Sequence, residues 1–418
     1  MAKTSKAVQP ARRIFKFTTF DALQYRDFRF LWASQVGSTL TQQTETYTRA
    51  WLVIQLTDTP ASSALFIGLV HLTRFIGAAA MLVGGVLSDR MDRRYILIVA
   101  NLINASFFTV LAVLILFDIV TMWHVVVSAI VAGAAQSVDE TSRQAAISSI
   151  VPREGIMNAI SLSAVLMGVG NTVGPAIAGF MIAFVGTEGS YFAMSIFLVV
   201  STAFLLFIQP LKVRAPVTGV SFFTSLKDGY VFAFRTPAVR AILLVGFTVV
   251  MFGAPHFLLL PVYFKEVLGQ DARALAWLAI PGILSIFGGL IAASLGDYKR
   301  KGLMLYLAVL SPATAAIILS QVNVLWLAII ATSIFGIGRS QYQPTSQTGA
   351  MKATPDHLRG RVASALSLSS QAGSVGVLIY GLLASQFGIQ GAYLIAGVTL
   401  VGLQTSYFIL MPAFRRLT

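Results

Sequence analysis

An all-α integral membrane protein, with twelve transmembrane helices in two six-helix bundles, is the fold class this sequence predicts. Three observations carry that prediction: an apolar, charge-poor composition, a one-sided distribution of Lys and Arg, and an internal repeat of the two halves. The chain has 418 residues, 56% hydrophobic and 11% charged, with mean hydropathy +0.78. Soluble domains carry about 25% charged residues, so the bilayer is the expected surroundings.

A spanning helix needs about 20 mostly apolar residues. Twelve such windows can be drawn, at 30–56, 61–87, 95–117, 123–142, 158–184, 190–209, 239–262, 273–295, 303–320, 324–347, 362–386 and 391–411. Residues 1–29 hold seven Lys/Arg, and the apolar stretch after them is too long for a cleaved signal peptide, so it is expected to stay as the first span. The organisation follows: a cytoplasmic arm (1–29), an N-terminal six-helix bundle (30–209), a central cytoplasmic loop (210–238), a C-terminal six-helix bundle (239–411) and a tail (412–418). "SFFTSLKDGYVFAF" in the central loop is amphipathic and is expected to lie along the inner membrane surface or on the bundle as a tether between halves.

A formal charge of +14 raises the question of nucleic acid. The positions of the charges answer it. With the N-terminus inside, the arm, the alternate loops and the tail hold 25 of the 30 Lys/Arg; only Lys265 and Arg273 fall in the opposite loops, and Arg49, Arg74 and Arg339 lie within spans. This is the positive-inside pattern of a multi-pass protein of the plasma (inner) membrane with both termini cytoplasmic, and no nucleic-acid partner is expected. The chain has no Cys, and its four His (His71, His124, His256, His357) lack ligand-like spacing, so neither disulfides nor a metal site is expected.

The two halves repeat. "LSDRMDRRYIL" (Leu87 to Leu97) matches "LGDYKRKGLML" (Leu295 to Leu305) without a gap, and "GAAQSVDETSRQAAISSIVP" (Gly133 to Pro152) corresponds to "GIGRSQYQPTSQTGAMKATP" (Gly336 to Pro355). A repeat of this kind marks a transporter whose halves rock about a site near the midplane.

Two motifs have physical reasons of their own. Gly84 and Gly85 end the second window and allow close helix approach, and the short loop after them offers Asp89, Arg90, Arg93 and Arg94 for pairing across the cytoplasmic seam. A plain topogenic loop would also place Arg there. "GVGNTVGPAIAGF" sets Gly170 and Gly174 one turn apart, with Pro175 able to kink the span and Gly179 a turn further on. Ordinary small-residue packing is the alternative. "GVLSDRMDRR" resembles the loop signature G-x-x-x-D-R-x-G-R-R of the major facilitator superfamily, with Asp92 where the family usually has Gly. The glycine run is similar to that superfamily's antiporter motif, with Ala178 replacing a Gly. "RDFRFLWASQ", "LKDGYVFAFRTPAVRAILL" and "TPDHLRGRVASALSLSSQAGSVG" resemble stretches of its enterobactin exporter and macrolide efflux branch. The resemblance implies the two-bundle fold, an inner-gate latch at Asp89, export rather than uptake, and a cavity lined by spans 1, 4, 7 and 10.

"TLTQQTETYTRAW" (Thr39 to Trp51) places ionisable groups at bilayer depth, where the default reading is functional. On a helix Thr41, Gln42, Glu45, Thr48 and Arg49 share one face, expected to look into the cavity. Glu45 lies about 16 Å below the outer end of span 1, with His71 and Arg74 at about 15 and 20 Å on span 2. Glu45 is therefore within reach of Arg49, His71 and Arg74, and is the first candidate for proton coupling; a structural ion pair is the alternative. Arg339 is unmatched in the repeat, which aligns it with Gln136, and is either a cavity residue or a snorkelling one. His256, after Pro255 in a helix that Pro261 also interrupts, is a substrate contact or a packing residue. Asp139 and Arg143 are spaced to pair at the cytoplasmic end of span 4.

A secondary active transporter, not an enzyme, is expected, exporting an amphipathic organic molecule (drug, siderophore or metabolite) with the proton gradient as driving force, no cofactor, and a monomeric state. An uptake permease of the same fold shares every topological feature. A membrane enzyme would need a compact catalytic constellation, which scattered His and absent Cys argue against. A sensor or scaffold would usually carry a larger soluble domain.

Overall fold

A computed structural model describes residues 20–73, 80, 91–211, 222–294, 301–355 and 358–415. Among them there is no strand. The N-terminal half comprises α1 (Arg26–Gln55), α2 (Pro60–Thr73), α3 (Arg93–Leu116), α4 (Met122–Ile150) and α5 (Arg153–Leu206). The short α6 (Phe222–Arg235) leads to the C-terminal half: α7 (Pro237–Val267), a 3-10 turn (Ala272–Leu278) running into α8 (Ala279–Ser294), α9 (Lys301–Gln321), α10 (Leu325–Lys352), α11 (Arg359–Gln371) and α12 (Gly373–Leu410).

Six helical stretches among the described residues are long and apolar enough to cross a membrane. Two of them are too long for one crossing: at 1.5 Å per residue the 54 residues of α5 extend about 80 Å against a hydrocarbon core of about 30 Å. Each is broken at one glycine, Gly186 (φ 74°, ψ 175°) and Gly388 (φ 73°, ψ 168°), in a backbone region that only glycine enters freely. These two glycines occupy corresponding places in the two halves, so the repeat extends to the backbone turn itself. The long helices α1, α4 and α10 fall outside the six because each carries polar residues near its middle. That polarity faces inward.

Inside each half polar groups pair with one another, as they must where water is absent. Ser34 on α1 meets Ser201 on the second leg of α5 at 3.0 Å, and Asn101 of α3 donates to the same hydroxyl at 3.3 Å. In the C-terminal half Gln404 donates to Thr248 at 2.6 Å. The amphipathic α6 lies on the bundle, where Asp228 accepts from Arg361 of α11 at 2.8 Å and Tyr230 reaches Ser369 at 3.0 Å.

Several boundaries differ from expectation. The stretch 143–155, expected to be a loop, is helix as far as Ile150, because no breaker precedes Pro152. Likewise α10 runs to Lys352, five residues beyond the expected end of span 10, and stops just before Pro355. Of the expected gate motif, Gly85, Asp89 and Arg90 lie outside the described residues, as do Arg74 and His357. Arg93 and Arg94 are described, and each bonds a carbonyl of its own half. Arg93 donates to the Ala145 carbonyl at 3.1 Å and Arg94 to the Leu206 carbonyl at 2.7 Å, where cations meet the negative ends of α4 and α5. Asp92, in the family's glycine position, caps α3 by accepting from the backbone N–H of Arg94 at 2.9 Å, and also from that of Leu211 at 3.2 Å.

Asp92→Ala is expected to lower stability by about 1 kcal/mol through loss of that cap. Thermal unfolding in detergent should show a lower midpoint for Asp92→Ala and a smaller drop for Asp92→Asn, which keeps an acceptor.

Candidate functional site

Among the described residues the close contacts between the two halves gather at one end. That end carries the short connections at 57–59, 268–271 and 322–324 together with the turns at Gly186 and Gly388. Here α2 touches α12 so closely that a Cβ on Gly68 would lie 2.7 Å from Leu378 Cα, and one on Gly381 would lie 2.6 Å from the Ala64 carbonyl. The first leg of α5 presses on the C-terminal half in the same way, Gly179 against Ala272 and Thr172 against Gly282. Tyr47 of α1 meets Phe257 of α7 edge-on at 6.3 Å. Lys265 lies over the Trp51 ring at 5.8 Å and Arg273 over Phe184 at 6.0 Å, so the two basic residues of this end each cap an aromatic ring of the other half.

Beyond the seal the halves part around a cavity of about 900 Å³. Its N-terminal wall is Gln42, Gln43, Thr46 and Tyr47 of α1, His71 of α2, Gly133, Gln136, Ser137 and Glu140 of α4, and Met167 and Asn171 of α5. Its C-terminal wall is built from α7 (Phe247, Ala254, Phe257, Leu258), α10 (Phe335, Arg339, Tyr342, Gln347) and the start of α12. The lining continues to Met351 and Ala363, toward the end that carries most of the basic residues. Arg339 is exposed to this cavity although it lies deep in the protein, and its charge faces Tyr47 across it.

The polar stripe of α1 is turned differently from expectation. Gln42, Thr46 and Tyr47 face the central cavity, whereas Thr41, Thr48, Glu45 and Arg49 are buried inside the N-terminal half, with Glu45 6% and Arg49 7% exposed. The expected cavity placement of Glu45 and Arg49 is thus corrected: the close packing of α5 on α1, with Gly170 against Thr39 and Gly174 against Gln43, sets the rotation of the helix. Glu45 and Arg49 form an ion pair one turn apart. Its surroundings are Tyr191 of α5, which lies beside both charges, and a pocket of about 10 Å³, the size of one water, shared with His71. A second cavity of about 440 Å³ within the same half touches Glu45 at one end and Asp139, Glu140 and Arg143 at the other. Arg143 holds Asp139 by two bonds of 3.0 and 2.8 Å and donates to the Leu31 carbonyl at 3.2 Å.

His256 is fully buried behind the cavity wall and is corrected as a substrate contact. Its ring packs on Phe335 at 4.7 Å, and Nδ1 bonds the Gly253 carbonyl. Helix α7 is interrupted by π-turns at Val249–Gly253 and Tyr263–Val267, as two prolines would have it. The carbonyls near the break do not face the cavity: Phe252 accepts from Tyr380 at 2.5 Å and His256 from Tyr393 at 3.0 Å. In α5 the chain stays helical through Pro175, and the break comes at Gly186.

Sequence reasoning passed over Glu140, Gln136 and Tyr342 as cavity residues. The signal was present: Gly133, Gln136, Ser137 and Glu140 recur at the three-and-four spacing that marked α1.

The chain matches the family model described as "Transmembrane secretion effector" over residues 17–417. It is 26% identical over 365 residues to the multidrug efflux pump Tap of Mycolicibacterium fortuitum, covering 82% of this chain and 86% of that one. It is 22% identical over 383 residues to the enterobactin exporter EntS of Salmonella typhi, covering 91% and 89%. A bacterial homolog of the human lysosomal transporter Spinster, solved in an inward-facing, unoccupied conformation, superposes with a TM-score of 0.72 at 13% identity, covering 96% of this chain and 98% of that one. These relatives are transporters rather than enzymes. A helical, multi-pass membrane protein built around a central cavity, this chain belongs to the transmembrane secretion effector family of major facilitator transporters.

Proposed function

We propose that this transporter exports an amphipathic small organic molecule across the plasma membrane in exchange for protons, with twelve spans and both termini in the cytoplasm. The observation that carries the reading is the cavity of about 900 Å³ between the halves, sealed at the short-loop end and continuing toward the basic end. Large enough for a drug-sized ligand, it has aromatic floors at Phe257 and Phe335 and polar walls. The positive-inside rule makes the basic end cytoplasmic, so the cavity as it stands receives substrate from inside. Rocking the halves apart at Gly68, Gly381 and Gly179 and together at the basic end delivers it outside. The efflux relatives support export.

Glu45 is the proton carrier in this reading. Ionised, it neutralises Arg49; protonated, it leaves Arg49 a net cation among α1, α2 and α5, and the packing that suits the neutral pair no longer suits the site. His71 borders both the one-water pocket and the central cavity, and the 440 Å³ cavity runs from Glu45 toward the basic end. The proton thus has a route within the N-terminal half beside the substrate cavity, with Gln42, Gln136, Glu140 and Met167 as shared walls.

Two outcomes check the reading. Cells with and without the protein should differ in accumulation of a fluorescent cationic dye, several macrolides or an arylcarboxylate at two external pH values; equal accumulation of all of them contradicts export. In proteoliposomes Glu45→Gln should lower pH-driven flux at least about tenfold while leaving binding within about threefold. Unchanged flux would remove Glu45 from the coupling mechanism.

The ion pair also makes a stability prediction. Glu45→Gln and Arg49→Gln should each destabilise by about 3–5 kcal/mol, because each leaves one buried charge alone, and the double variant should recover part of that loss. Additive losses in thermal unfolding would mean that the two charges do not act as a pair.

A further inference from the structure

Three arginines lie deep among the described membrane helices, and two are matched to a carboxylate on their own helix. Arg49 has Glu45 four residues earlier, and Arg143 has Asp139 four residues earlier. At the same spacing Arg339 has Phe335, and four residues later comes Gln343. No carboxylate lies within ion-pair distance of Arg339 among the described residues. Among the described residues its charge faces the phenol of Tyr47 across the cavity. The acidic group on the facing wall, Glu140, corresponds in the repeat to Gln343, one helical turn nearer the opening than Arg339, and has interactions of its own.

A guanidinium held at bilayer depth without a counter-ion is an unfinished interaction. Phe257 and Phe335 form one apolar side of the same cavity, and Tyr47, which faces the cation, packs edge-on against Phe257. We infer that the central cavity binds an aromatic carboxylate or comparable organic anion, with the anionic oxygens on Arg339 and the ring system among Tyr47, Phe257 and Phe335. A carboxylate matches the planar guanidinium in two parallel hydrogen bonds, which fixes orientation as well as charge. A cationic amphiphile placed there would meet like charge. This rests on the reading of the cavity as the substrate site, but not on export or proton coupling.

Equilibrium dialysis of the full-length protein in nanodiscs tests it without a gradient. The probes are 2-naphthoate, larger arylcarboxylates, and 2-naphthylmethylammonium as the matched cation. Saturable binding of at least one arylcarboxylate is expected, at least about tenfold tighter than the cation. Arg339→Gln should lose about tenfold or more in affinity for the anion while Arg339→Lys keeps most of it, with the unfolding midpoint of each variant recorded alongside. Tighter binding of the cation, no saturable binding of any arylcarboxylate, or displacement of naphthoate by an equal concentration of sulfate overturns the inference. The wild-type comparison of anion and cation stands even if Arg339→Gln fails to fold. Naphthoate binding that follows Arg339 while flux ignores the pH gradient would defeat proton coupling and leave the substrate class intact.

Discussion

A carboxylate and a guanidinium buried among membrane helices hold each other in place, and the N-terminal half is built around that requirement. Either charge alone is costly there, since the isolated charge loses its hydration with nothing in return. Together they form a compact neutral unit on one helix, enclosed by Tyr191 and by the one-water pocket shared with His71. The rotation of α1 that buries the pair also turns Gln42, Thr46 and Tyr47 toward the central cavity. One helix thereby separates a buried ion pair from the central cavity.

The boundary between the halves has a different chemistry. At the short-loop end it combines glycine-allowed backbone contact, apolar packing such as Tyr47 on Phe257 and two cation–π contacts, with no salt bridge across it among the described residues. Each cation–π contact contributes about 0.5–1 kcal/mol at an exposed site, and small-residue packing adds dispersion without binding the halves irreversibly. Such a seal closes well and parts without stranding a buried charge. The strong bidentate pair of Asp139 with Arg143 lies instead inside one half, where it keeps α4 rigid.

Much of the fold was legible because its signals are local or additive. The charge map needs only the positions of Lys and Arg, and Asp139 with Arg143 is a pair on one helix face. The breaks after 184 and 386 follow from where the apolar windows end, whereas the turns at Gly186 and Gly388 themselves are seen in the backbone. The candidate site was less legible wherever distant segments decide. A polar stripe from Thr41 to Arg49 says that a helix has a wet side, but contacts with Gly170 and Gly174, more than 120 residues away, decide which part of it meets the cavity. His256 follows the same rule. Two prolines predict a broken helix, yet the hydroxyls of Tyr380 and Tyr393, far along the chain, hold the carbonyls of Phe252 and His256 and keep this segment packed behind the wall.

Under the proposed function, protonation of Glu45 biases which end of the transporter is closed. The chain has no Cys, so pairs of spin labels can be introduced without background. One pair, at Thr59 and Gln386, spans the short-loop end, and another, at Ser148 and Arg359, spans the basic end; all four positions are exposed. Double electron–electron resonance distances for both pairs, taken at acidic and neutral pH with and without Glu45→Gln, measure the bias directly. The account predicts that acidification lengthens one distance and shortens the other, and that Glu45→Gln holds one arrangement at both pH values. Distances that ignore pH, or that change together in the same direction, would contradict it.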